Sequence, residues 1–195
     1  MTGVIDYGAG NTASVMNALS DITKDIVKSS DPEVLSKCGR LILPGVGEAS
    51  FAMKRLAECG ITSLIKTCDV PLLGICLGMQ IMGSFSEEGD THCLGLTNTP
   101  VKRFDESKMT VPNMGWCKTK INNNCKLFQN LKNDQYFYFA HSYYMPVSEI
   151  TTALCSTGTE FTAALRINNF YGVQFHPEKS GSAGIQILKN FMELC

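Results

Sequence analysis

With 195 residues, 44% of them hydrophobic and 18% charged, the chain has the composition of a folded globule and the length for a substantial core. A formal net charge of −1 excludes the basic excess that nucleic acid or an anionic membrane surface would demand, so neither is expected as a partner. The opening MTGVIDYG carries no basic run followed by a long apolar one, and no segment approaches the ~18 uninterrupted apolar residues of a membrane span, so a cytoplasmic location is expected.

The first two-fifths alternates strand and helix patterns. Thr2–Ile5 is a short apolar strand. From Asn11 a helix is expected, with Val15, Met16, Leu19 and Ile22 on one face as core. Asp25–Ser29 reads as a second strand, and Asp31-Pro32-Glu33 as a helix start with Asp as N-cap and Pro at the first position. Arg40–Leu43 is a third strand, ended by PGVG. Ala49–Glu58 and Ile61–Thr67 read as helices broken at Gly60. Pro71–Ile75 is the continuous apolar run of a strand buried on both faces, and LGMQIMGSF after it reads as a helix.

From about Leu96 to Ser148 the pattern turns to strands and loops, with three asparagines at 122–124 marking a turn. The stretch 135–146, QYFYFAHSYYMP, is rich in aromatic residues. FTAALRI and FYGVQF read as two strands joined at Asn168-Asn169. Ala183–Leu194 is an amphipathic helix with Ile187, Leu188, Phe191 and Met192 facing inward. No repeat or linker is visible, so residues 1–195 are expected to form a single domain. The fold class is α/β: an open, mainly parallel twisted sheet with helices on both faces, plus a β-rich second half.

Nine cysteines without a C-x-x-C pair suit neither a disulfide framework nor a zinc site. Most are expected to be reduced thiols packed as small hydrophobes, and no metal is expected. The Gly8-Ala9-Gly10 turn resembles a dinucleotide fingerprint, yet the position two before Gly8 is Asp6, where that fingerprint wants an apolar residue. The acidic residue about 20 positions on is Asp31, already assigned a capping role, so no nucleotide cofactor is expected. The glycines serve a tight strand-to-helix turn. That turn still lies at the carboxyl end of a strand, where open α/β sheets keep their ligands.

The stronger signal is Gly74-Ile75-Cys76-Leu77-Gly78 between a buried strand and a helical pattern, the cysteine form of a nucleophile elbow. Glycines flank the nucleophile because the turn is tight. The elbow lifts the sulfur to the carboxyl edge of the sheet, at a helix N-terminus that favours thiolate. The Leu77 N–H then points toward an oxyanion formed on the attacked carbonyl. The plain alternative is one more buried thiol.

A nucleophile of this kind needs a base and an orienter. Of the three histidines, His92 sits in the polar EEGDTHC and is expected to be solvated. His141 follows an aromatic strand and could be a core histidine bonded to backbone. His176 ends an apolar strand before Pro177, and Glu178 lies within reach of its second ring nitrogen. Cys76, His176 and Glu178 therefore follow nucleophile–base–orienter logic.

A G-x-C-x-G elbow, Gln80 four residues after the nucleophile and a late H-P-E resemble the class I glutamine amidotransferases, whose fold is flavodoxin-like. DYGAGN, LPGVG, GICLGMQ, SEEG, NMGW, AHSYY and FHPEKS run in order from residue 6 to residue 180. Together they resemble one branch of that family, the glutaminase subunits of imidazole glycerol phosphate synthases in histidine biosynthesis. Thr12 stands where that branch commonly has Leu, and Cys93 where Gly is usual; neither touches the three catalytic positions.

The resemblance implies hydrolysis of L-glutamine to glutamate and ammonia through a thioester on Cys76, with His176 as acid and base and Glu178 holding its tautomer. It further implies that PGVG is the oxyanion strand, with the Val46 amide as second donor beside Leu77. Gly45 and Gly47 flank that amide and would let the peptide turn between two orientations; the plain alternative is that both fit a tight turn. Gly47, Gln80, Ser142 and Tyr143 would hold the glutamine, the last two mostly through backbone groups.

A glutaminase alone wastes its ammonia, and no acceptor domain is expected within these 195 residues. The resemblance implies that the acceptor site belongs to a (β/α)8-barrel cyclase subunit. Asn11 and Ser14 match positions that face it. Trp116 is expected as an interface anchor, although a lone Trp is often core. Lys179 is placed to pair with a partner carboxylate, and Tyr138 to help close the interface. Competing readings are another amidotransferase branch, which NMGW and HPEKS oppose, a stand-alone γ-glutamyl hydrolase, and a catalytically dead binding module.

Overall fold

The computed structural model describes residues 1–8, 11–122 and 124–195. Ala9 and Gly10 of the expected glycine turn and Asn123 of the asparagine turn lie outside the described residues. The chain opens as β1 (Thr2–Ile5), α1 (Thr12–Ser20), β2 (Ile26–Ser29), α2 (Pro32–Leu35), β3 (Arg40–Gly45), α3 (Ala49–Glu58), α4 (Ile61–Thr67), β4 (Leu72–Cys76) and α5 (Leu77–Gln80). The helix starts follow the local chemistry. Asn11 accepts the Ser14 N–H at 3.4 Å, and Asp31 accepts the Glu33 N–H at 2.8 Å with Pro32 opening α2. Asp31 is thus a cap, as its sequence context required.

The second half is strand-rich: β5 (Phe85–Ser86), β6 (Thr91–His92), β7 (Lys102–Arg103), β8 (Asn113–Ile121), β9 (Asp134–His141), β10 (Tyr143–Tyr144), β11 (Thr151–Ser156), β12 (Glu160–Ile167) and β13 (Phe170–Val173). A 3-10 turn at Pro177–Lys179 leads into α6 (Gly181–Leu194), which starts two residues before the expected Ala183.

One sheet of nine strands has the order β2-β1-β3-β4-β13-β12-β11-β8-β9. The five strands from β2 to β13 are mutually parallel, and from β12 onward every pairing is antiparallel. Successive strand residues feed opposite faces. Val4, Ile42, Leu73 and Ile75 pack with residues of α1 and α6, whereas Ile5, Leu41, Leu43 and Leu72 pack with α2, α3, α4 and α5. Two apolar layers result, one on each side of the parallel strands, which is why those strands read as unbroken apolar runs.

One expectation fails in detail. LGMQIMGSF is helical only over Leu77–Gln80. Beyond it the carbonyls of Ile81, Met82 and Gly83 accept the N–H groups of Leu94, Leu96 and Gly95, at 2.8, 3.0 and 2.8 Å. A loop strapped across this segment takes the acceptors that a longer helix would have used internally.

Strand direction decides what meets at the upper edge. β9 runs the same way as β3, β4 and β13, so the carboxyl ends of all four point to one side. The antiparallel end of the sheet also curls back: the His176 N–H, just past β13, donates to the Tyr138 carbonyl of β9 at 2.9 Å. Phe137 and Phe175 stack in the fold of that curl, with centroids 3.9 Å apart. No helix among the described residues is long and apolar enough to cross a membrane.

Candidate active site

Cys76 ends β4 with φ 53° and ψ −110°, a backbone state costly for a residue with a side chain. The surrounding glycines make the turn possible. A Cβ on Gly74 would lie 2.6 Å from the Gly78 carbonyl oxygen, and one on Gly78 would overlap the Leu43 carbonyl. β3 runs beside the elbow, pairing Gly45 with Cys76. Buried Tyr7 donates to the Pro44 carbonyl at 3.1 Å and fixes the start of the segment that carries Val46 and Gly47. The Cys76 side chain at the N-cap does not bond back to α5, and among the described residues no side chain bonds the Leu77 N–H at its start.

The imidazole of His176 is buried, with Nδ1 2.9 Å from the Glu178 Oε1. Cys76 lies close enough to interact electrostatically with the same imidazole. Burial disfavours the imidazolium, but the hydrogen bonds and charges of Cys76 and Glu178 outweigh it and raise the pKa from 6.5 to about 9. A protonated imidazole between a sulfur and a carboxylate is ready to hand a proton to a leaving group.

The elbow floors a cleft of about 210 Å3. Val46, Gly47 and Leu77 line it beside Cys76, and Gln80, Ser142 and Tyr143 form its far wall, so the expected oxyanion and glutamine-holding residues share one cavity. Gln80 is buried, and its amide nitrogen donates to the Tyr143 carbonyl at 2.7 Å and to the Gln174 Oε1 at 2.8 Å. Gly47 has φ 98°, with open space where a Cβ would point.

The sequence matches the description "Glutamine amidotransferase class-I" over residues 3–195. The chain belongs to the class-I glutamine amidotransferase family. Among its relatives are the proteins named imidazole glycerol phosphate synthase subunit HisH of Vibrio parahaemolyticus, 44% identical over 98% of this chain and 97% of the relative, and of Bacteroides fragilis, 50% identical over 98% of each. Solved structures share the fold at lower identity. One described as a glutamine amidotransferase has TM-score 0.76 at 19% identity, covering 99% of this chain and 97% of its own. One described as PurLQS from Thermotoga maritima has 0.71 at 17%, covering 98% and 96%.

On this amidotransferase fold the expected partner-facing residues fall into two groups. Trp116 is 55% exposed, so it is no core tryptophan. It pairs in register with Tyr138 and meets it edge-on at 6.3 Å, and the Lys179 ammonium lies 5.7 Å from the centre of the Tyr138 ring. Asn11 and Ser14 sit apart at the start of α1, the Asn11 oxygen engaged in capping; α1 itself packs on the Pro177–Lys179 turn. A closed ring of hydrogen bonds ties the Tyr138 backbone to the His176 backbone. His176 N–H donates to Tyr138 C=O, Tyr138 N–H donates to the buried Ser180 hydroxyl at 2.9 Å, and that hydroxyl donates to His176 C=O at 2.7 Å.

His141 is the core histidine that the sequence allowed. Nδ1 lies 2.8 Å from the Tyr143 carbonyl and so carries the proton, leaving Nε2 to accept from Asn113 at 2.9 Å. Burial lowers its pKa to about 4. His92 is exposed, as expected. All nine cysteines are free. Sequence reasoning missed three residues at the site. Glu88 lines the cleft and accepts the Ala49 N–H at 2.9 Å; SEEG contained it, but nothing local marked it as a cleft residue. Met114, 66% exposed, forms part of the rim. Gln174 reaches the sulfur itself.

Proposed function

We propose that this chain is the glutaminase subunit of an imidazole glycerol phosphate synthase. It hydrolyses L-glutamine and passes the ammonia to a (β/α)8-barrel cyclase subunit, which makes imidazole glycerol phosphate and an aminoimidazole carboxamide ribotide. The observation that carries the reading is Cys76 on its positive-φ elbow, interacting with the His176–Glu178 pair on the floor of a cleft walled by Gly47, Gln80, Ser142 and Tyr143. The relatives named for that synthase over nearly their whole length support the choice of branch.

The Cys76 thiolate attacks the side-chain amide carbon of glutamine, and the carbonyl electron pair moves to oxygen. The Leu77 and Val46 amides are the donors suited to that oxyanion; losing one such donor typically costs about 10²–10³ in rate. His176 gives its proton to the nitrogen, the C–N bond breaks and ammonia leaves. Water then attacks the thioester while His176 takes its proton, and glutamate departs as the thiolate is restored. Glu178 holds the imidazole tautomer and balances its charge. The Glu88 carboxylate suits the substrate's α-ammonium group.

The exposed face of β8 and β9 supports a partner seated over the site. Met114 belongs to both the cleft rim and that outer face, and Trp116, Tyr138 and Lys179 continue it. A partner covering this strip receives ammonia before water protonates it. The test is glutamate release by the chain alone, with the cyclase, and with cyclase plus its ribotide, using Cys76→Ala as the blank. Activity that is low alone, rises with the liganded cyclase and vanishes in the variant supports the reading. High activity indifferent to the cyclase would assign Cys76 to a free hydrolase.

A further inference from the structure

Cys76 Sγ has two hydrogen-bonding neighbours, the Ala140 carbonyl oxygen at 3.9 Å and the Gln174 amide nitrogen at 3.7 Å; the titratable groups that interact with it are the His176 imidazole and the buried Tyr7 phenol. The carbonyl accepts from the thiol and so favours its protonated form. The amide donates to sulfur and so favours the thiolate. Gln174 is 0% exposed and does not line the cleft, so its amide serves the protein's own groups.

A backbone group decides which end of that amide meets the sulfur. The Tyr143 carbonyl can only accept, so the Gln80 atom 2.7 Å from it is nitrogen. The other N–H of the same nitrogen points to Gln174 at 2.8 Å, which must therefore present oxygen. Nitrogen is what remains for Cys76. Turning either amide over would set like against like in a buried site, a penalty that holds the chain of donors in one direction.

We propose that Gln174 is a third side chain acting on the nucleophile: its N–H holds the Cys76 sulfur as thiolate, aimed at the cleft. It acts at both ends of the cycle. It stabilises the attacking thiolate before acylation and, when water has added to the thioester, the sulfur that receives the electron pair of the breaking C–S bond. The proposal rests on Cys76 being the nucleophile, but not on the partner.

The test is alkylation of Cys76 by iodoacetamide at neutral and at alkaline pH, read site by site by peptide mass spectrometry, on the full chain and on Gln174→Met and Gln174→Glu. In the folded variants the neutral-pH rate falls roughly tenfold or more, as expected for loss of a hydrogen bond to a charged group, and recovers toward wild type at alkaline pH. Glutaminase kcat falls in step, with a smaller change in KM. A merely structural role would lower thermal stability and leave the neutral-to-alkaline ratio of alkylation rates unchanged. That ratio staying at the wild-type value in either folded variant overturns the proposal. Alkylation needs neither glutamine nor cyclase, so failure of the glutaminase reading would show separately, as a wild-type chain that releases no glutamate.

Discussion

The parallel and antiparallel halves of the sheet do different work. β3 and β4, in the parallel half, carry Val46, Gly47 and Cys76 on turns packed so closely that Gly74 and Gly78 leave no space for a side chain. The antiparallel half contributes strand ends and one outer face: His141 to Tyr143 as the cleft wall, and Trp116 with Tyr138 on the surface. Tight burial on both faces fixes the position of the Cys76 sulfur. A sheet with one open face can close a cleft and still offer an apolar surface to another chain. The two halves touch at His176, whose ring interacts electrostatically with Cys76 and whose backbone is bonded to Tyr138.

If that division holds, substitutions in the parallel half abolish chemistry with or without a partner, and substitutions on the outer face change only what the partner does. The largest effect is expected from Gly78→Ala. Its Cβ meets the Leu43 backbone, so the elbow must deform at a cost of roughly 3 kcal/mol or more, with glutamate release lost; urea unfolding and the glutaminase assay both read it. A Gly78→Ala protein of wild-type stability and rate would mean that the tight elbow does not hold the sulfur in place.

Next is Glu178→Gln, expected to lower kcat roughly a hundredfold or more. Glu178 helps raise the His176 pKa to about 9, so the imidazolium is present below that pH and lost above it. The wild-type kcat/KM should therefore decline above about pH 9, and the variant's decline should begin at lower pH. An unmoved alkaline limb would remove Glu178 from the charge balance.

On the outer face, Trp116→Ala should leave the uncoupled glutaminase rate intact and weaken cyclase binding by about 2 kcal/mol, roughly thirtyfold, in a titration of the complex. Equal loss of uncoupled activity would mean that the outer face and the elbow are not separable. An effect of similar size, read as stability and not as binding, concerns the cleft wall. Burial holds the His141 pKa at about 4, so below its ordinary 6.5 the unfolded chain binds the proton more readily and stability falls as pH drops toward 4. His141→Gln should flatten that fall, by on the order of 2 kcal/mol between pH 7 and pH 4.5 in urea unfolding.

What the amino-acid order determined by itself is local. The apolar runs of β1, β3 and β4, the capped starts of α1 and α2, the glycine-flanked Cys76 and the proline-ended His176 with Glu178 two residues on are all written within a few neighbouring positions, because turns, caps and doubly buried strands impose their demands on adjacent residues. The site's long-range partners were decided by tertiary structure. Only the curl of the antiparallel strands brings Tyr138 onto the His176 backbone, and only the strap over 81–83 cuts α5 to Leu77–Gln80. Glu88 and Gln174 carry no local mark of function. Glu88 reaches the cleft by capping α3, and Gln174 reaches the sulfur because the Tyr143 carbonyl sets the direction of two buried amides. The reason is the range of the forces involved: backbone sterics act between neighbours in sequence, whereas a hydrogen bond between residues 98 apart exists only once the sheet has closed over it.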